Sequence, residues 1–126
     1  MGSLESIENI IKEKFPVEFT QFMVLNGGLS HYERIFTDKD KTLWEVQSYL
    51  NYSELYNLTK EFFEVYQRKL VPFAYDLGNW HFCLCMDEKD FGCIIVNRWT
   101  DYPKEEQFLK IANSFEEFID GLQAEE

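Results

Sequence analysis

At 126 residues with 45% hydrophobic and 17% aromatic content, the chain suits one domain burying roughly two-thirds of its unfolded surface, and it is too apolar for disorder. A net charge of −11, from 23 acids against 12 bases, argues against nucleic acid and for basic partners. No apolar run is long enough to span a membrane.

The opening MGSLESIENI lacks the basic flank and apolar stretch of a signal peptide, so the expected compartment is the cytoplasm, where cysteines stay reduced. MGSLES fits the loose myristoylation pattern through Gly2 and Ser6 and reads as chance. The sequons at Asn51 and Asn57 carry no weight without a secretory signal. From Asp101 onward there are eight acids and two lysines, which concentrates negative charge at the C-terminal end.

In chain order, Leu4, Ile7, Ile10, Ile11 and Phe15 recur at helical spacing, with Glu5, Glu8 and Lys12 opposite. Pro16 disfavours helical backbone in its predecessor, which predicts a stop near Phe15. It can open the next helix, PVEFTQFMVL, which closes on the cap sequence Asn26-Gly27-Gly28. Residues 30–37 suit a strand carrying Tyr32, Ile35 and Phe36. After the turn TDKDK, Trp44, Val46, Ser48 and Leu50 alternate as one strand. Ser53 is the expected N-cap of a third helix built on Leu55, Leu58, Phe62, Val65 and Tyr66.

The segments LVPFAY, WHFCLCM and GCIIVN then read as strands, joined by the turns DLGN and DEKDF. QFLKIA reads as a last strand, and Ser114 with Glu117 forms a capping box opening FEEFIDGL. The expected fold is α+β, a single domain over residues 1–126. Its mostly antiparallel sheet of about six strands carries an N-terminal helix pair, a middle helix and a C-terminal helix on one face.

The stretch HFCLCMDEKDFGC, His81 to Cys93, holds every cysteine and one of two histidines. On a strand His81, Cys83 and Cys85 share a side, and Cys93 from the next strand would complete a zinc-type ligand set. Cys-x-Cys on a flat strand, however, separates its sulfurs by about 6–7 Å. Phe82, Leu84 and Met86 make the other side apolar too, so the segment reads as a central strand whose cysteines are small hydrophobes. A thiol nucleophile needs a base and an electropositive setting, and no Lys or Arg occurs in the segment before Lys89.

Other sharp motifs fail as well. There is no G-x-S-x-G elbow, and NGGLS lacks the Gly-Lys-Ser/Thr of a phosphate loop. The acidic turns Asp38/Asp40 and Asp87/Glu88/Asp90 match no EF-hand and read as solvated turns. Trp80, Trp99 and Tyr102 are candidates for an aromatic anchor, with Trp80 assigned to the core. With no catalytic, metal or cofactor constellation, the chemistry points to binding.

Four stretches together resemble the SUKH superfamily, named partly for the yeast cell-wall synthesis regulator and abundant in bacteria. FPVEFTQFMVLNGG is similar to the family's Leu-Pro, helix, Asn-Gly-Gly signature through Pro16, Asn26, Gly27 and Gly28, with Phe15 in place of leucine. VPFAYDLGNWHFCLCMD resembles its strand–turn–strand segment through Asp76, Gly78 and Asn79. FGCIIV resembles the following strand, opened by Gly92, and IANSFEEFIDGL the closing strand and helix, with Ser114 and Phe115. The resemblance covers about residues 7–122. The family's turn is often richer in glycine, and NRWTDYP stands where its strand end is commonly acidic or histidine-bearing.

The resemblance implies a non-catalytic binding protein with no cofactor. Many bacterial members look like immunity proteins that neutralise the C-terminal domain of a polymorphic toxin by direct contact. An acidic chain suits a basic, nuclease-type toxin. The candidate contact residues are Asp38, Asp40, Asp87, Glu88, Asp90, Trp99 and Asp101. The alternatives are a regulatory scaffold akin to the yeast relatives and a zinc or thiol enzyme using His81 and the cysteines.

Overall fold

In a computed structural model, which describes residues 4–26, 33–99 and 106–124, helix α1 (Leu4–Ile11) stops earlier than Pro16 requires. Lys12 enters the left-handed region at φ 59°, and the N–H groups of Lys12 and Glu13 return to the Glu8 carbonyl at 2.7 and 3.3 Å. Glu8 Oε2 also accepts from Phe15 N–H at 2.6 Å. These bonds occupy groups that a helix end leaves open, so the chain is already extended when it reaches Pro16. Helix α2 (Val17–Asn26) follows as expected. Gly27, Gly28 and Tyr32 lie outside the described residues.

Strand β1 (Glu33–Thr37) pairs with β2 (Leu43–Glu45). LWEVQSYL is not one strand, because the chain changes sheets at its centre. Val46 N–H donates to Arg34 O at 2.8 Å, on the side of β1, and Gln47 N–H donates to Tyr75 O at 2.8 Å. Strand β3 (Ser48–Tyr49) therefore joins a second sheet.

Helix α3 (Tyr52–Tyr66) is capped by Asn51 rather than Ser53. Asn51 Oδ1 accepts from Glu54 N–H at 2.9 Å, and Glu54 Oε1 accepts from Asn51 N–H at 3.1 Å. Only Asn51 has a glutamate three residues on to reciprocate, which decides between two adequate caps.

Strands β4 (Leu70–Tyr75), β5 (His81–Cys85), β6 (Ile94–Asn97) and β7 (Phe108–Ala112) complete an antiparallel sheet ordered β3-β4-β5-β6-β7. A register shift between Pro72 and Ala74 lets both Phe73 and Ala74 join the larger core cluster. Helix α4 (Phe115–Asp120) starts at Ser114, whose Oγ accepts from Glu117 N–H at 3.0 Å. Glu117 Oε2 accepts in turn from Asn113 N–H at 2.8 Å, one residue before the cap. The chain then adds β8 (Gln123–Ala124), which pairs with β1 and makes a three-stranded sheet ordered β2-β1-β8.

The α+β expectation holds, with the strands divided between two sheets. The five-stranded sheet is covered on both faces rather than one. On one face Val71, Phe82, Leu84, Ile94 and Val96 share a core with Ile7, Ile11, Phe19, Phe115 and Phe118. Edge-to-face rings lock this layer, such as Phe19 on Phe115 at 5.0 Å and Phe73 on Phe118 at 5.8 Å. Each such pair adds about 0.5–1.5 kcal/mol beyond burial. On the other face Leu70, Cys83, Cys85, Cys93 and Ile95 pack beneath Phe62 of α3. Among the described residues no helix is long and apolar enough to cross a membrane.

Candidate partner-binding face

The β1–β2 turn is built by one carboxylate. Asp38 Oδ1 accepts from the N–H groups of Asp40 and Thr42 at 2.9 and 3.0 Å, and its Oδ2 accepts from Trp44 Nε1 at 2.9 Å. Burial alone would raise its pKa, but these donors and the nearby Lys39 charge hold it below the ordinary value. The bond to Trp44 swings that indole into the core, 6.1 Å from the Trp80 ring.

The β4–β5 turn uses the same device. Asp76 Oδ1 accepts from Gly78 and Trp80 N–H, both at 2.9 Å. Asn79 takes the left-handed conformation at φ 67°, one that asparagine tolerates.

Between these two turns lies an open groove of about 480 Å³, lined by Leu43, Trp44, Glu45, Asp76, Trp80 and Arg98 among others. Leu43 and Leu77 flank it at 68% and 72% exposure. Glu45 is paired with Arg34 at 3.1 Å. Isolated exposed leucines are ordinary, but here two stand around one groove with a half-buried tryptophan. Asp38 and Asp40 line a smaller adjoining depression with Lys110 and Glu117.

The second acidic turn, between β5 and β6, is organised differently. Asp87 accepts from Arg68 Nε and Lys69 N–H, both at 2.8 Å, so its carboxylate binds the α3–β4 junction to the turn. Glu88 is exposed, and the Asp90 carbonyl accepts from Cys93 N–H at 3.1 Å. Gly92 has φ 89°, which suits glycine. Trp99 packs on Phe62 and His81 at 5.3 and 5.5 Å and donates Nε1–H to Asn79 O at 3.0 Å. Asp101 and Tyr102 lie outside the described residues. The structure thus places Asp38 and Asp40 in the β1–β2 turn, Asp87, Glu88 and Asp90 in the β5–β6 turn and Trp99 after β6, and gives Asp38, Asp87 and Trp99 structural bonds of their own.

His81 is 6% exposed and ringed by Tyr75, Phe62 and Trp99. Burial lowers its pKa, against the Asn79 backbone and the Asp76 and Glu54 charges, and so favours the neutral ring. Among the described residues no three His, Cys, Asp or Glu side chains converge as metal ligands.

The groove went unread in the sequence. Leu43 opens a strand, Leu77 sits in a turn and Arg98 follows β6, and only the packing of two sheets brings them together. The one local signal was the motif Asp76-Leu77-Gly78-Asn79, whose first three residues line one wall.

This arrangement is that of a two-sheet α+β domain with an open groove between two of its turns. The family profile SUKH_6, described as SMI1-KNR4 cell-wall, matches residues 2–119. The chain belongs to this family. No curated protein matches it.

Proposed function

We propose that this SUKH domain is a non-catalytic cytoplasmic binding protein of the immunity type, neutralising the C-terminal domain of a cognate bacterial toxin by direct contact. The observation that carries the reading is the groove between the β1–β2 and β4–β5 turns, where Leu43, Leu77 and Trp80 offer apolar anchors beside Asp76 and Glu45. Apolar anchors give affinity at the centre of an interface, while surrounding charge steers approach. With a net charge of −11, the complementary partner is basic, as a nuclease-type toxin is. Asp38, Asp40, Glu88, Asp90 and Asp101 then serve as steering charges, while Asp87 supports its own turn and Trp99 the β4–β5 turn. Inhibition needs only occlusion of the toxin's site, so no cofactor enters.

The test is a Leu43→Ala/Leu77→Ala double variant titrated against the toxin domain. Its dissociation rate should rise at least about tenfold with the fold intact. Unchanged kinetics in a folded variant would remove the groove from the interface. The second reading, a regulatory scaffold for several cellular partners, draws on the SMI1-KNR4 cell-wall description of the family. Recovery of several unrelated proteins on an affinity matrix of this chain, with none lost in the double variant, would favour it.

A further inference from the structure

Beyond the Leu84–Ile94 pair the ladder is irregular, and Cys85 lies opposite both Gly92 and Cys93. Cys85 N–H donates to Cys93 O at 2.9 Å, and Gly92 N–H donates to Cys85 O at 2.7 Å. Residues facing each other across an antiparallel pair carry side chains on one side with Cβ atoms about 4.5–5.5 Å apart. A disulfide needs Cβ atoms about 3.5–4.5 Å apart, so the pair must close as it forms. Both cysteines lie in one buried cluster beneath Phe62, and the S–H of Cys85 donates to Asp87 Oδ2 at 3.6 Å. Cys83 points its thiol at the His81 carbonyl at 3.8 Å and takes no part.

The fold also supplies the cation that the local sequence lacked. Arg68 Nη2 lies 3.9 Å from Cys85 Sγ, with its guanidinium held by Asp87 and seated 5.3 Å from the Phe108 ring centroid. Lys110 of β7 favours a Cys93 thiolate, and Asp90 opposes it. Two opposed thiols thus lie beside an anchored arginine.

We propose that Cys85 and Cys93 are a redox-sensitive pair that closes into a reversible disulfide when a hydroperoxide reaches it. Cys93 is the attacking thiol. The hydrogen bond from Cys85 lowers its pKa against the effect of burial, whereas the same bond and burial keep Cys85 protonated. The Cys93 thiolate attacks a peroxide oxygen and the O–O bond breaks. Hydroxide leaves and takes up a proton, and Cys93 becomes a sulfenic acid, oxidised by two electrons as the peroxide is reduced. The Cys85 sulfur then attacks Cys93, the S–O bond breaks, water leaves with the Cys85 proton, and the S–S bond forms. Exchange with a dithiol reverses the reaction. Both sulfurs are buried, at 0% and 2% exposure, so the rate follows opening of the Glu88–Gly92 turn.

The experiment treats folded Cys83→Ala protein with hydrogen peroxide, alkylates it under denaturing conditions and digests it with trypsin, which cuts after Lys89 and so separates the two cysteines. The expected result is a loss of two hydrogens from the intact mass. The Cys85 and Cys93 peptides should stay joined until reductant is added. Wild-type protein, run in parallel, should give the same joined peptides even if the variant folds poorly. In Cys85→Ser the reaction should stop at a Cys93 sulfenic acid that dimedone traps. Free, unlinked thiols, oxygen added to single sulfurs, or linkage through Cys83 would overturn the proposal.

Discussion

Replacing Asp38 by asparagine isolates one interaction. Asparagine keeps an oxygen for the N–H groups of Asp40 and Thr42, but turns an NH₂ toward Trp44 Nε1–H where Oδ2 accepted it at 2.9 Å. Trp44 is 7% exposed, so its donor is stranded where water reaches it poorly. A buried donor without an acceptor costs about 1–3 kcal/mol, and partial exposure of the carboxylate places this case near the lower end. The expected loss is about 1–2 kcal/mol for Asp38→Asn, and about 1 kcal/mol more for Asp38→Ala, which removes all three bonds.

The loss depends on pH in a defined direction. The folded pKa of Asp38 lies below the ordinary 3.8, so its stabilisation is present above 3.8 and fades as pH falls through the folded value. Urea denaturation followed by tryptophan fluorescence, at neutral pH and below pH 3.8, reads both effects. The gap between wild type and variant should be full in the first and narrow in the second. An Asp38→Asn protein with an unchanged midpoint at neutral pH would refute this account of the turn.

Four further outcomes follow. Gly121→Ala should cost about 1–3 kcal/mol by thermal melting, because its Cβ would stand 2.9 Å from the Phe36 ring and 3.2 Å from the Glu117 carbonyl. Asn51→Ala should lose about 1 kcal/mol in urea, while Ser53→Ala stays within about 0.5 kcal/mol, since only Asn51 closes the capping box. His81 has a folded pKa below 6.5, so its contribution is complete above that value and is lost as pH falls from 6.5 toward the folded value. Wild type should therefore weaken over that interval more than His81→Gln, as denaturant midpoints across pH will show. Leu43→Ala and Leu77→Ala should each leave stability within about 0.5 kcal/mol, because both side chains are mostly in water.

The parts of the fold written in short-range pattern were legible in the sequence. Ile7 and Ile11 mark the buried side of α1, Ser114 caps α4, and apolar residues on both sides of His81–Met86 give a central strand. What escaped depends on long-range pairing. Periodicity in LWEVQSYL is continuous across a change of sheet that only Arg34 and Tyr75 reveal. Gln123–Ala124 carry no strand signal and pair because β1 offers them an edge. Ser53 and Asn51 are comparable caps until Glu54 is considered as a partner.

The site followed the same division. The acidic turns were visible as turns, but the bonds that commit Asp38 to Trp44 and Asp87 to Arg68 were not. Along the strand no Lys or Arg lies near the cysteines before Lys89, whereas Arg68 approaches from the end of α3.

The measurement that tests the central claim most directly is calorimetric titration of this chain with the C-terminal domain of a toxin encoded beside it, at low and high salt. Tight one-to-one binding that weakens with salt and abolishes the toxin's activity is the predicted result. Absence of binding at low salt, or binding that leaves the toxin fully active, would contradict it.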